Sequence, residues 1–222
     1  MCQTPEDRGS NPRAAKQKRE MVEMKIKALC KCAQEDNNIL YLLDDVDEDG
    51  EVLRQYVYLP ERALFPLDGM PRLNEDTILA VMDVPQEKKC IWNVIRGTMT
   101  ERLKLMAEDA RNTDSEAKLS WVGIAMNGMA VRPVFWEGGG KTAFVDSEIL
   151  KVVADHRGLE LCARKIDGST VFVMLNGFMN VGCILPTNAH WGKVEAQELH
   201  AAGMLAGKVA EDWEQMHEHE RN

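Results

Sequence analysis

Aromatic side chains are scarce in this chain of 222 residues, only 6% of the total, and no window comes near eighteen uninterrupted apolar residues. The second absence excludes a membrane-spanning helix, which needs about 20 mainly apolar residues. The opening MCQTPEDRGSNPRAAKQKRE has no apolar signal core, so export is not expected and the chain is read as cytoplasmic. Cysteine is thin as well. Cys2, Cys30, Cys32, Cys90, Cys162 and Cys183 follow no framework spacing, and no second Cys or His pair joins Cys30 and Cys32 in a zinc set. They read as reduced thiols, mostly small core residues. Catalytic phrases are missing too: there is no G-x-S-x-G elbow, no H-E-x-x-H, and no histidine in a recognisable catalytic setting. A non-enzymatic protein without a cofactor is the expectation.

What is present is charge, unevenly spread. The net charge of −9 divides into +2 over residues 1–36, −7 over 37–91, 0 over 92–188 and −4 over 189–222. An acidic whole argues against a dedicated basic nucleic-acid binder, but leaves room for one basic face. Residues 1–13, with Pro5, Gly9 and Pro12, read as a disordered tail. Residues 14–36 read as an amphipathic helix with Val22, Ile26, Leu29 and Ala33 on one stripe and Lys18, Lys25, Lys27 and Lys31 elsewhere on the wheel. Residues 37–91 hold a hairpin, Ile39–Leu43 and Val52–Leu59, then a segment made irregular by Pro60, Pro66 and Pro71. A short helix capped by Asn74 and ended by Pro85 completes that stretch.

Residues 92–188 are more regular. CIWNVI reads as a strand and TERLKLMAEDARN as a helix capped by Thr100. SWVGIAM and MAVRPVFW form a pair turned by Asn127-Gly128, with Pro133 marking the second strand as an edge or bulged one. DSEILKVVADHRG is a second short helix, capped by Asp146 or Ser147 and ended by Gly158. LELCARKI, TVFVMLN and MNVGCILP follow, separated by Asp167-Gly168 and Asn176-Gly177 turns, which indicates an antiparallel meander. Within residues 189–222 a last amphipathic helix carries Leu205, Val209, Trp213 and Met216. The fold class is α+β: a mainly antiparallel sheet with two short helices on one face, flanked by terminal amphipathic helices.

The stretch DDVDEDGEVL places Asp45, Asp47 and Asp49 before Gly50, as a calcium loop does. The twelfth position is Tyr56, which supplies no bidentate carboxylate, and the flanks read as strands. An acidic hairpin turn is favoured, with a calcium-binding module as an alternative. AGMLAGKV fails the phosphate-loop template at Ala202 and Val209, and its Gly203/Gly207 pair reads as permitting a close helix approach. His217 and His219 read as part of a polar terminus, and His156 as a cation at a helix end.

The order strand, TERLKLMAEDARN, two strands, AFVDSEILKVVAD, then strands closing on CILP resembles one domain of the bacterial DNA polymerase sliding clamp, over residues 92–188. Such clamps are non-catalytic and acidic overall, with helices presenting Lys and Arg to DNA phosphates. The resemblance implies an accessory factor in DNA transactions, with duplex DNA and replication or repair proteins as partners. Arg102, Lys104 and Arg111 on the first helix, and Lys151 and Arg157 on the second, are the implied DNA-facing residues; no metal site is implied. The family strings three such domains together, whereas one is found here. The other expectation is an interaction module or homo-oligomer docking through its terminal helices.

Overall fold

The computed structural model describes residues 24–126, 128–153 and 158–187, together with the helical positions 201, 203–205, 207 and 208. Residues 1–23, and with them the first part of the expected N-terminal helix (14–23), lie outside the described residues, as do Val209, Trp213, Met216, Arg157 and all five histidines. No described helix is long and apolar enough to cross a membrane.

The described residues are built on one sheet of eleven strands: β1 Ile39–Val46, β2 Val52–Leu59, β3 Ala63–Pro66, β4 Asn93–Thr98, β5 Ser115–Leu119, β6 Ile124–Met126, β7 Met129–Trp136, β8 Lys141–Asp146, β9 Glu160–Ile166, β10 Ser169–Asn176 and β11 Met179–Ile184. Their order across the sheet is β4-β1-β2-β3-β11-β10-β9-β5-β7-β6, and β8 pairs the other side of β7. Every pairing is antiparallel except β1 with β4. The stretches 37–91 and 92–188 therefore share one sheet, joined at the seam where β3 pairs β11.

β3 corrects the expectation of an irregular Pro-rich segment. Its prolines bracket the strand instead of breaking it: Pro60 precedes it in a turn where Glu61 adopts φ 58°, and Pro66 is its final residue. Pro133 is a second correction, since β7 is neither an edge nor bulged there. Ser120 donates its N–H to the Pro133 carbonyl (2.8 Å), so the proline nitrogen points to the same side, where the chain leaves the ladder between β5 and β6. The Ser120 carbonyl, left without a backbone donor from Pro133, accepts from Arg132 Nε at 2.6 Å.

Both faces of the central strands are apolar, because alternate residues serve two cores. Phe65, Val57, Leu42, Phe172 and Ile184 face one core, which Leu29 and Ala33 of α1 (Ile26–Glu35), Ile78 and Leu79 of α2 (Glu75–Val81) and Ile149 and Leu150 of α4 (Ser147–Leu150) cover. Leu43, Tyr56, Leu64, Val173 and Cys183 face the other, under Met106 and Ala107 of α3 (Glu101–Ala107). The two short helices expected to share a face, α3 and α4, thus lie on opposite faces; the helix beside α4 is α1.

Local chemistry sets the helix ends. Asn74 caps α2 in a reciprocal box with Thr77, Thr100 caps α3, and Asp146 accepts the Glu148 N–H at the start of α4. α1 begins only at Ile26, because Met24 bridges Val153 and the Lys25 N–H donates to the Val152 carbonyl (2.7 Å). It ends where Asn37 and Asn38 take positive φ. α4 stops after one turn, shorter than the expected run to Gly158.

The close approach expected of Gly203 and Gly207 is present. A methyl group at Gly203 would stand 2.6 Å from Thr142 Cγ2, and one at Gly207 2.8 Å from the Phe135 ring, so this helical segment lies directly on β7 and β8. Leu205, expected on the docking stripe, is instead 65% exposed. Gly182 is enclosed by two side chains, with Met174 Cε and Phe65 Cδ1 both 2.8 Å from where a Cβ would be. Gly182→Ala is expected to destabilise the protein by about 1–3 kcal/mol through overpacking, read as a lower urea midpoint at an unchanged slope.

Candidate functional site

Of the five residues singled out for DNA, the four that are described do not gather on one surface. Arg102 is exposed on α3 and makes no hydrogen bond or ion pair among the described residues. Lys104, also on α3, pairs with Asp45 (3.3 Å) and donates to the Val46 carbonyl (3.3 Å). Arg111 is bound to Glu108. Lys151 sits at the end of α4, across the sheet from these three, and Arg157 lies outside the described residues.

The acidic stretch is the turn of the β1–β2 hairpin, between strands and not helices. Asp47 Oδ1 accepts the N–H groups of Asp49 (3.0 Å) and Glu51 (2.8 Å), the usual way an aspartate closes its own turn. Asp45 is engaged by Lys104, and Tyr56 is buried against Arg54. Among the described residues no group of three or more His, Cys, Asp or Glu is arranged to hold a metal ion.

A cationic surface does exist, on the opposite face, and α1 builds most of it. The spacing that buries Leu29, Cys32 and Ala33 leaves Lys27 and Lys31, four apart, on one outward stripe. α4 lies antiparallel alongside: Met24 and Lys25 meet residues 152 and 153 at one end, and Arg62 ties the other ends together. Lys31 (2.7 Å) and Lys151 converge on the Glu148 carboxylate. Hydrogen bonds from Lys151 and Lys31 hold that carboxyl below its ordinary pKa. With exposed Lys25 at the helix start, four lysines stand against two carboxylates, Glu148 and Glu35, the latter 4.0 Å from Lys31.

Arg62, in the β2–β3 turn, fixes this helix pair. One Nη donates to the Cys32 carbonyl (2.9 Å) and to Asp36 (3.1 Å); the other reaches Glu35 (3.1 Å) and Asp146, the α4 cap. Burial works against the Arg62 charge, yet Asp146 and Asp36 beside it carry its pKa further up. Burial pushes the Asp36 carboxyl above its ordinary value, with Arg62 opposing. Burial also pushes the Cys32 thiol up to about 12, so it stays protonated at neutral pH and packs as an apolar group.

Chemically the α1–α4 surface is a set of flexible ammonium donors on a braced base, suited to holding phosphates without reading sequence. The stripe of Lys27 and Lys31 was visible in the sequence as the basic side of an amphipathic helix. Their meeting with Lys151 was not, since no spacing relates residues 120 apart.

No family model, curated protein or solved structure matches the chain. Its own residues must carry any functional assignment.

Proposed function

We propose that the protein is a non-catalytic, cytoplasmic accessory factor in DNA transactions, of sliding-clamp type, and that it meets duplex DNA through the α1–α4 face. The carrying observation is the pair of antiparallel helices, laid on one face of a long antiparallel sheet and presenting Lys25, Lys27, Lys31 and Lys151 outward. Lysines on a helical layer backed by a sheet supply sequence-independent phosphate contact, and a local patch is enough even on a chain of net charge −9. Replication or repair proteins are the partner class this role entails. α3 has a lesser part in this reading: Lys104 and Arg111 are each held by a carboxylate of their own. Lys31 and Lys151 share Glu148, and Lys25 and Lys27 make no ion pair among the described residues.

The test is fluorescence anisotropy with a random-sequence duplex over a salt series. Binding is expected with a slope of log K against log salt near −0.9 per phosphate contact. Reversing Lys27, Lys31 and Lys151 to Glu is expected to weaken binding about ten-fold or more and to flatten the slope by roughly 2–3. Reversing Arg102, Lys104 and Arg111 should have a smaller effect. A wild-type protein that ignores duplex DNA at low salt, or a triple lysine variant that binds unchanged, sinks the proposal.

A further inference from the structure

On the other face, an open groove of about 840 Å³ runs between the β1–β2 hairpin and α3. Five carboxylates line it (Asp45, Asp47, Glu48, Glu108 and Asp109) against two cations, Arg54 and Lys104. Both cations are already matched, Arg54 by Asp68 outside the groove and Lys104 by Asp45. Asp45 is taken by Lys104 and Glu108 by Arg111, so the groove keeps the charges of Asp47, Glu48 and Asp109 in surplus for whatever enters.

It also presents apolar surface. Leu53, in its wall, is 66% exposed. Beside Asp109 the β10–β11 tip holds out Phe178, 83% exposed, and Met179, 48% exposed. That tip is fixed to the α3 end by the Ala110 N–H on the Phe178 carbonyl (3.0 Å) and the Asn180 N–H on Asp109 (2.8 Å). Large apolar side chains held rigidly in the open next to a charged groove mark a contact surface.

The occupant that fits is within the chain's own sequence. Residues 8–19, RGSNPRAAKQKR, carry five cations (Arg8, Arg13, Lys16, Lys18, Arg19) and no carboxylate, and Met21 and Val22 follow at once. That is the complement of a groove with surplus carboxylates and an apolar rim. The segment joins the described residues at Met24, which bridges Val153 on the α1–α4 face. Only residues 20–23 connect it, a span of about 14 Å at full extension. The groove lies on the far face, beyond the sheet and two packing distances of about 10 Å each. To enter the groove of its own chain the tail would have to turn round the edge of the sheet, so the occupant that fits directly is the tail of a second copy.

We propose that residues 8–19 of one copy dock in the acidic groove of a second copy, giving a head-to-tail self-association. Because tail and groove occupy different faces, the contact is heterologous and propagates until a ring closes or a filament grows.

Sedimentation velocity on the full chain over a concentration and salt series tests this. Self-association that weakens with salt is expected. A tail variant (Arg13→Glu, Lys16→Glu, Lys18→Glu) and a groove variant (Glu48→Lys, Glu108→Lys) should each associate about ten-fold or more weakly. Mixed together they should associate again, since each tail then meets a groove of opposite charge. That recovery also shows both variants are folded. A wild type that stays monomeric at every concentration, variants that associate like wild type, or a mixture without recovery would each overturn the proposal. Loss of duplex DNA binding in the tail variant, with self-association intact, would assign the segment to phosphates instead.

Discussion

Replacing Arg164 by methionine is expected to lower the stability of the protein by about 3–5 kcal/mol, the usual result of stripping one partner from a buried ion pair. Arg164 is 1% exposed and its partner Asp114 3%. All five N–H donors of the guanidinium are used: Nε (2.9 Å) and Nη2 (2.6 Å) on Asp114, Nη1 on the carbonyls of Leu105 and Glu108, and Nη2 on that of Asp109. The side chain thus closes off the open C-terminal carbonyls of α3 and holds the helix on the second core. Methionine fills comparable volume but leaves the Asp114 carboxylate with only the Arg111 N–H. It also strips the guanidinium donors from the carbonyls of Leu105, Asp109 and Glu108, the last of which keeps the Asn180 amide. Urea unfolding at pH 7 is the measurement, and Asp114→Asn should cost less because it keeps one acceptor oxygen for the guanidinium, which the three carbonyls still hold. Removing both charges together (Arg164→Met with Asp114→Leu) should recover part of the loss, since a matched apolar pair replaces a matched ionic one.

The same pair sets an acid limit. Burial pushes the Asp114 carboxyl up, but hydrogen bonds from Arg164 and the Arg111 N–H, with the Arg164 charge, carry it below its ordinary value. A carboxyl with a depressed folded pKa stabilises the protein above its unfolded value, near 3.9, and loses that contribution as pH falls through the folded value. Wild type should therefore lose stability steeply below about pH 4, and the methionine variant less steeply over that window.

What could be read from the sequence follows a physical line. Turns with a backbone requirement were legible: Asp167-Gly168 takes φ 50° and 78°, the pairing that only a few residues tolerate, and it duly joins β9 to β10. Caps were legible for the same reason, since Asn74, Thr100 and Asp146 act on neighbours two or three residues away. Gly203 and Gly207 announced a close approach because the absence of a side chain is itself a steric signal. What depended on distant partners was hidden. β3 is four residues between prolines, and it is a central strand only because β2 and β11 flank it. The face taken by α3 was obscured because strands such as β10 are buried on both sides, so period two gives no polar side to steer by. The charged site suffered likewise: no spacing shows that Asp45 holds Lys104, or that Glu148 draws Lys31 and Lys151 together.

Arg62 offers the second large effect, and one that separates bracing from binding. Arg62→Met should destabilise the protein by about 2–4 kcal/mol, less than at Arg164 because Glu35 is substantially exposed and solvent screens its share. The loss should concentrate on the helix pair. Asp146 caps α4, Asp36 ends α1, and without Arg62 a buried and a half-buried carboxylate are left with no cation between them. The folded pKa of Asp36, raised by burial even with Arg62 present, would then lie further above the unfolded one. A carboxyl raised on folding favours the folded state below its unfolded pKa and disfavours it as pH rises through the folded value. The stability gap between variant and wild type should therefore be widest at pH 7 and narrow towards pH 4, opposite in sign to the acid response at Asp114. Amide exchange should quicken in α1 and at Lys25, whose N–H is held by the Val152 carbonyl, while α3 keeps its protection. If α1 and α3 loosen equally, Arg62 steadies the whole sheet and the lysine face has no brace of its own.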